Sequence, residues 1–351
     1  MDNKEIVLSG IRATGNLHLG NYYGALSKFV KMQDDYDCLF FIADLHALTT
    51  TPDPNALHEN VKNILAEYLA AGIDPEKATI FVQSDVPEIS EMYLLLNMHV
   101  GIGELLRTAS FKDKARKQLG IKDDSEDIEK QIIGGDSNKR VNAGLLTYPT
   151  LMAVDILIQK ANKVPVGKDQ EQHLELTRRF ARRFNSFYGV DLFPEPENFN
   201  FGDHAVKVPG LDGSGKMGKS EGNCLYLIDE EKVLRKKVMR AVTDEGPKEP
   251  NQPVSQPVEN LFTLLELTSS PEIVKSYRDA YADCSIRYGD LKKQLAEDIL
   301  KITTPIRERY ADIRANDAYI SKVVRQGAER ARERAAKTLA EVREVMGIRK
   351  F

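Results

Sequence analysis

The chain has 351 residues, 42% hydrophobic and 29% charged, with a formal net charge of -4 at pH 7. This composition excludes wholesale disorder and a general polyanion-binding coat, while leaving room for a local basic patch on an acidic protein. Apolar runs fall well short of the ~20 residues that span a bilayer. Cys38, Cys224 and Cys284 form no C-x-x-C pair, which argues against a disulfide scaffold or zinc ribbon and fits a reducing compartment.

The first residues carry acid early and no long apolar stretch, so no secretory signal is expected and a cytoplasmic protein is. Ile6, Val7 and Leu8 read as a short strand that runs into a turn at Ser9-Gly10, and a helix follows from near Leu19. Residues 38–43 are continuously apolar and read as a fully buried parallel strand. A loop at 51–54 precedes a helix over 55–71, stopped by Gly72, and another buried strand at 78–82. This βαβ succession predicts an α/β protein with a mostly parallel sheet covered on both faces.

Residues 88–119 look helical, and 120–140 read as a charged, mobile surface segment. Tyr148-Pro149 is expected to precede a helix through Ile158, followed by a β-like stretch at 163–166 and a strong helix over 170–187. Residues 207–223 form a loop rich in Gly, Lys and Ser. Beyond 224 the only strand signal is 225–228, and the segments 230–242, 257–267, 271–284, 288–301, 303–314 and 317–346 read as helices. The last of these is laced with charge and reads as a solvated face with alanines that allow close packing.

Four segments bear on chemistry. Gly10 to Asn21 runs from a strand into a helix, where backbone N–H groups suit a phosphate. It fits neither G-x-G-x-x-G nor the P-loop pattern, so those readings fail, and a tight turn with a capping residue stays open. Lys216 and Lys219 sit in the second segment, which either closes over a polyphosphate or is a solvated linker. In the third, Asp155 interrupts an apolar helix one turn after Met152. It either accepts a ligand N–H or is partly exposed. The fourth, Val166 to His173, joins a short strand to a helix, a usual place for ligand contacts, and Asp169 with His173 is equally compatible with a structural pair. No cluster has convincing metal geometry.

These segments together resemble a known family. His18-Leu19-Gly20-Asn21 and Lys216-Met217-Gly218-Lys219-Ser220 resemble the two signatures of class I aminoacyl-tRNA synthetases. Gly10 through Gly15, Tyr148 through Asp155, and Val166 through His173 are similar to the bacterial tryptophanyl-tRNA synthetases. The resemblance implies a Rossmann-like parallel-sheet catalytic domain over 1–221 and an all-helical C-terminal domain over 222–351. The latter would face the anticodon, with its last helix packing back on the catalytic domain.

It also implies activation of L-tryptophan by Mg-ATP, with release of pyrophosphate, and transfer to tRNA(Trp) by a homodimer with no membrane association. Leu8, Gly10, His46, Tyr148, Met152, Asp155, Val164 and Gln170 would hold tryptophan, with Asp155 accepting the indole N–H. Arg12, Ala13, Gly20 and Asn21, Gly167, Lys168 and Asp169, and Val208 would meet ATP. So would Met217, Gly218 and Ser220. Catalysis would fall to Thr14, His18, Lys216 and Lys219. Magnesium would ride on the phosphates, so no tightly bound protein-ligated metal is expected.

Two residues depart from the family pattern. Gly218 stands for the usual serine and implies a more mobile loop, and Ala13 stands for a common proline and implies a looser turn. A tyrosine-specific relative would carry glutamine at the place of Met152. A non-catalytic tRNA- or nucleotide-binding module, and a nucleotidyltransferase that does not use tRNA, are further alternatives on the same fold. The stretch 92–102 is a plausible dimer interface, and Arg235, Lys236, Lys237 and Arg240 are a candidate basic patch for tRNA.

Overall fold

The computed structural model describes residues 4–50, 52–121, 132, 141–167, 170–199 and 207–349. Most of 120–140 therefore lies outside the described residues.

Five parallel strands form one sheet in the order β3-β2-β1-β4-β5. They are β1 (Ile6–Arg12), β2 (Asp37–Ala43), β3 (Thr79–Val82), β4 (Lys163–Val164) and β5 (Glu197–Asn198). β1 is longer than its apolar run suggests, because it pairs with β2 along its whole length, from Ile6 opposite Asp37 to Arg12 opposite Ala43. Alternate residues serve opposite faces: Val7, Phe40, Ile42 and Ile80 enter one core, and Leu8, Leu39, Phe41 and Phe81 the other. Strand order reverses beside β1, and the crevice at such a switch point is where ligands bind in open α/β sheets.

After β1 the chain turns into α1 (Leu19–Asn21), a π-helical segment Tyr22–Leu26, and α2 (Ser27–Met32). α3 (Asp44–Ala47) follows β2, and α4 (Pro54–Ala71) starts at an Asp53 cap and ends at Gly72, whose φ is +112°. The helical stretch 88–119 resolves into α5 (Glu88–Asn97), α6 (Ile102–Leu106) and α7 (Ala109–Leu119).

α8 (Ala143–Ile158) corrects an expectation. Tyr148-Pro149 lies inside this helix, which begins at an Asn142 cap, and burial on both sides of Pro149 holds the helix through the lost hydrogen bond. α9 (Glu171–Tyr188) returns along the same face.

Beyond the lysine loop come α10 (Glu231–Met239), α11 (Gln256–Thr268), α12 (Pro271–Ala282), α13 (Tyr288–Arg314) and α14 (Asp317–Val345). The stretch 225–228 is not a strand. It makes one antiparallel bridge, Tyr226 with His18. The two helices expected over 288–314 are one, because Leu291, Leu295, Ile299 and Ile306 form a buried face across Pro305.

α14 is not a solvated face either. Gly327 lies so close to β3 that a Cβ there would stand 1.7 Å from the Ile80 carbonyl oxygen. The helix thus covers the sheet edge, with Ala328, Ala331 and Ala335 buried beneath it. Its charges pair with the earlier part of the chain: Arg332 with Glu88, Arg334 with Asp37, Arg343 with Glu91 and Glu341 with Lys160. One apolar core runs from Val7 and Ile80 through Leu225, Leu291 and Val323, across the 221/222 boundary.

Candidate functional site

A cavity of about 590 Å³ opens at the carboxyl ends of β1, β2 and β4. Its lining includes Leu8, Gly10, His46, Tyr148, Met152, Asp155, Val164 and Gln170, all the residues expected around the amino acid. Arg12 and Gly167 line it too, as do Gly24 and Ala25 of the π segment, a common place for such a helical irregularity. A larger surface groove of about 760 Å³ between α4 and α14 holds none of these residues.

Asp155 is buried in α8, lines the cavity and is held by three contacts that leave it capacity to accept one more. Gln83 Nε2 donates to both of its oxygens, at 2.8 and 2.9 Å, and His46 Nε2 lies 3.0 Å from Oδ2. Burial pushes the Asp155 carboxyl above the usual carboxylate range, and His46 and Gln83 oppose that shift. The result is a negative or strongly accepting group in an apolar cavity wall, beside the thioether of Met152.

On the opposite wall, His173 Nδ1 donates to Gln170 Oε1 at 3.0 Å, which leaves Nε2 to accept from the Ser110 hydroxyl at 2.8 Å, while the Tyr148 hydroxyl donates to Ser110 Oγ and lies 2.6 Å from Nε2. Lys114 of α7 stands 4.0 Å from the centroid of the Tyr148 ring. Asp169, the other half of the pair expected with His173, lies outside the described residues, as does Lys168.

The turn after β1 and the lysine loop meet beside this cavity. Lys219 Nζ donates to the carbonyl oxygens of Gly15 at 2.7 Å and Thr14 at 3.3 Å. The chain after the loop closes on the turn through Leu19 N to Leu225 O and Leu227 N to Leu17 O, both 2.9 Å. Burial lowers the Lys219 pKa, against the attraction of Glu67. His18 is buried, and desolvation, then Lys219 and Lys216, push its pKa down to about 4. A neutral imidazole therefore faces the turn at neutral pH, with Nδ1 buried and lacking a hydrogen-bond partner. Gly20 leaves room for this ring, since a Cβ would stand 2.8 Å from the imidazole and push it aside. Arg12 Nε is likewise buried without a partner. An arginine donor without a partner and two lysines, beside a neutral imidazole, describe a place for an anion of several charges.

Other expected residues sit differently. The Asn21 side chain accepts from the His18 N–H and so braces the helix start. Val208 and Met217 are buried, joined by Met217 N to Val208 O at 2.9 Å, so the loop presents backbone there rather than those side chains. Ser220 Oγ bonds to Glu221, and Lys216 is exposed. Ala13 does not loosen the turn: it is buried, and Asn60 Nδ2 holds its carbonyl. Gly218 has φ -151° and ψ 141°, a backbone any residue adopts, and Asn223 accepts from its N–H, so the loop is tethered rather than freed.

The basic patch is also corrected. Arg235 pairs with Glu231 and Glu297, and Lys237 pairs with Asp229, so two of its four cations are neutralised within the chain. Sequence reasoning missed Gln83, Ser110, Lys114 and Glu67. Gln83 alone had a usable signal, a polar residue directly after a buried strand at the end of the sheet where ligands bind. The other three lie on helices and reach the site only through packing.

Residues 2–304 match the family described as tRNA synthetases class I (W and Y). A tryptophan–tRNA ligase of Porphyromonas gingivalis is 62% identical over 98% of this chain and 100% of its own length. One from Fusobacterium nucleatum is 40% identical over 97% of each. The crystal structure of a tryptophanyl-tRNA synthetase from Campylobacter jejuni, complexed with ADP and tryptophan, superposes with a TM-score of 0.82. It is 32% identical and covers 97% of this chain and 99% of its own.

The depressed His18 pKa carries a prediction with a definite sign. Between pH 6.5 and about 4 the unfolded chain binds a proton at this position that the folded chain refuses. Stability should therefore fall as pH drops through that window, and His18→Gln should flatten this part of the slope. An NMR titration of the His18 ring with a midpoint near 4 is expected, and a midpoint near 6.5 would contradict the geometry.

Proposed function

This chain belongs to the class I tRNA synthetases (W and Y), and we propose that it is a tryptophan–tRNA ligase whose catalytic site is the cavity and turn described above. It activates L-tryptophan with ATP and transfers it to tRNA(Trp). The observation that carries the reading is that one cavity gathers every residue expected around tryptophan, beside a turn bearing an unsatisfied arginine donor and two lysines.

In the first step a tryptophan carboxylate oxygen attacks the α-phosphorus of ATP. The bond to the bridging oxygen breaks, and pyrophosphate leaves. No side-chain nucleophile is needed, so positioning and electrostatics supply the catalysis. Asp155 accepts the indole N–H, and His46 and Gln83 fix its carboxylate for that contact. Met152 packs against the ring. Tyr148 and Gln170, linked through His173, hold the ammonium end. Arg12, Thr14 and neutral His18 meet the phosphates, and Lys216 and Lys219 take up the charge that develops on pyrophosphate. Gly167, Lys168, Asp169 and the backbone at Val208 receive the adenosine. In the second step a hydroxyl of the tRNA 3'-terminal adenosine attacks the carbonyl carbon of the adenylate, and AMP leaves.

Magnesium screens phosphate charge. The side chains gathered at the turn are Arg12, His18, Lys216 and Lys219, a donor set that fits a metal carried by the phosphates and not by the chain. Residues 1–221 carry this chemistry, and the helices of 222–351 carry the anticodon-facing surface. The work is cytoplasmic, and no described helix is long and apolar enough to cross a membrane.

A homodimer is the second element of the reading. Leu94, Met98, Ile102 and Phe187 are exposed apolar side chains, whereas Met92, within the stretch expected at the interface, is buried. Such a patch favours a second copy. Sedimentation at micromolar concentration should give twice the chain mass, and Met98→Asp with Ile102→Asp should give the monomer. A monomer before substitution would contradict this element.

Pyrophosphate exchange dependent on L-tryptophan tests the activity itself. Asp155→Asn should lower kcat/KM for tryptophan about 10- to 100-fold with little change in KM for ATP, the effect of weakening a charged hydrogen bond to substrate. No tryptophan-dependent exchange by the unaltered chain, or equal activation of tyrosine, would overturn the assignment.

A further inference from the structure

Asn223 directly follows Gly222, where the short turn Lys219–Glu221 ends, and it is only 5% exposed. A side-chain amide buried this deeply needs partners for its oxygen and for both N–H groups. It has them, and all belong to the lysine loop. Oδ1 accepts from the Gly218 N–H at 2.9 Å. Nδ2 donates to Asp212 Oδ1 at 2.9 Å, to Ser214 Oγ at 3.0 Å and to the Lys216 carbonyl at 3.2 Å. A backbone N–H can only donate and an ionised carboxylate can only accept, so these partners fix which way the amide points.

Lys216 and Gly218 flank Met217, which is buried and bonds through its N–H to Val208 O at 2.9 Å. The backbone leading to Lys219 is therefore held at three successive residues, two of them by the one side chain. The start of the loop wraps the same amide. A Cβ at Gly210 would stand 2.1 Å from Asn223 Nδ2, so only glycine lets the chain pass there. Leu211 N bonds to Asn223 O at 3.3 Å. Hydrogen bonds from Ser214 and then Asn223 hold the Asp212 carboxyl below the usual carboxylate range, so a charged acceptor faces the amide. Between Asp212 and Gly222 only Met217 is buried, so hydrogen bonds rather than packing give the loop its shape. Asn223 does not line the cavity.

We propose that Asn223 is a positioning residue for the activation step: its amide clasps the loop at Lys216 and Gly218 and so sets where Lys216 and Lys219 stand when pyrophosphate leaves. The inference rests on the function proposed above and adds a residue to it. Lys219 follows Gly218 directly, and its Nζ reaches the Gly15 and Thr14 carbonyls from the backbone that Asn223 holds. A cation that meets charge developing in a transition state loses most of its effect when its backbone wanders by about 1 Å. Asn223 acts through the two lysines and touches no reacting atom.

Limited trypsin digestion and pyrophosphate exchange, both on the full chain, test the proposal together. Exchange by the unaltered chain decides the proposed function, whereas digestion needs no substrate and decides the clasp. Asn223→Ala should make cleavage after Lys216 and Lys219 about tenfold faster, the effect of losing several hydrogen bonds in an exposed loop. In exchange its kcat should fall about 10- to 100-fold. The Kd for L-tryptophan should change less than about twofold and the thermal midpoint less than about 2 °C. Asn223→Asp keeps the acceptor for Gly218 but sets two carboxylates together, and its kcat should fall as far. Adding Asp212→Asn returns a donor to face the new carboxylate and should restore at least about fivefold in kcat. The inference is overturned by unchanged cleavage or unchanged kcat in Asn223→Ala, or by no recovery in the Asp212→Asn pair. It is also overturned if tryptophan binding and the thermal midpoint fall together with kcat.

Discussion

The pairing of β1 with β2 on one side and with β4 on the other is the constraint from which the site follows. It sets the carboxyl end of one strand at the point where the sheet order reverses, and a crevice opens there. Leu8, Gly10 and Arg12 lie along that strand and line the crevice. Helices packed on either face of the sheet then supply the remaining walls. α8 brings Tyr148, Met152 and Asp155, and the segment after β2 brings His46. Shifting β1 by one residue would exchange its two faces and remove these side chains from the cavity.

The charges divide the crevice into two regions. One wall carries the engaged carboxylate of Asp155 within apolar surroundings, suited to a single directed N–H on a flat ring. The adjoining turn carries cations and a neutral imidazole, and Arg12 Nε and His18 Nδ1 there have no hydrogen-bond partner. His18 belongs with the second group because burial and the nearby lysines keep its ring neutral, so that it brings a polar ring to the turn and adds no charge. The proposed chemistry takes place where the two regions meet.

Much of this was legible in the sequence. Alternating short apolar strands and amphipathic helices define an α/β sheet, and the order of four motifs points to a family. What the sequence did not show are effects that depend on packing. Tyr148-Pro149 reads as preceding a helix and 288–314 as two helices parted at 302, yet Pro149 lies inside one helix and 288–314 is continuous through Pro305, because buried faces continue past these points. The charge of α14 reads as solvated, but its small residues press the helix onto β3 and its charges find partners across the sheet edge. Arg235 and Lys237 form a basic cluster in sequence and ion pairs in space. The residues around the amino acid were legible because the family resemblance names them one by one, and the fold then gathers them in one cavity.

A crystal structure of the full chain with L-tryptophan and a non-hydrolysable ATP analogue tests the central claim most directly. The account predicts the indole nitrogen within hydrogen-bonding distance of Asp155, and the triphosphate against Arg12 and His18, with Lys219 moved from the Gly15 carbonyl onto a phosphate oxygen. Nucleotide and amino acid bound in separate cavities, or an indole nitrogen turned away from Asp155, would contradict it.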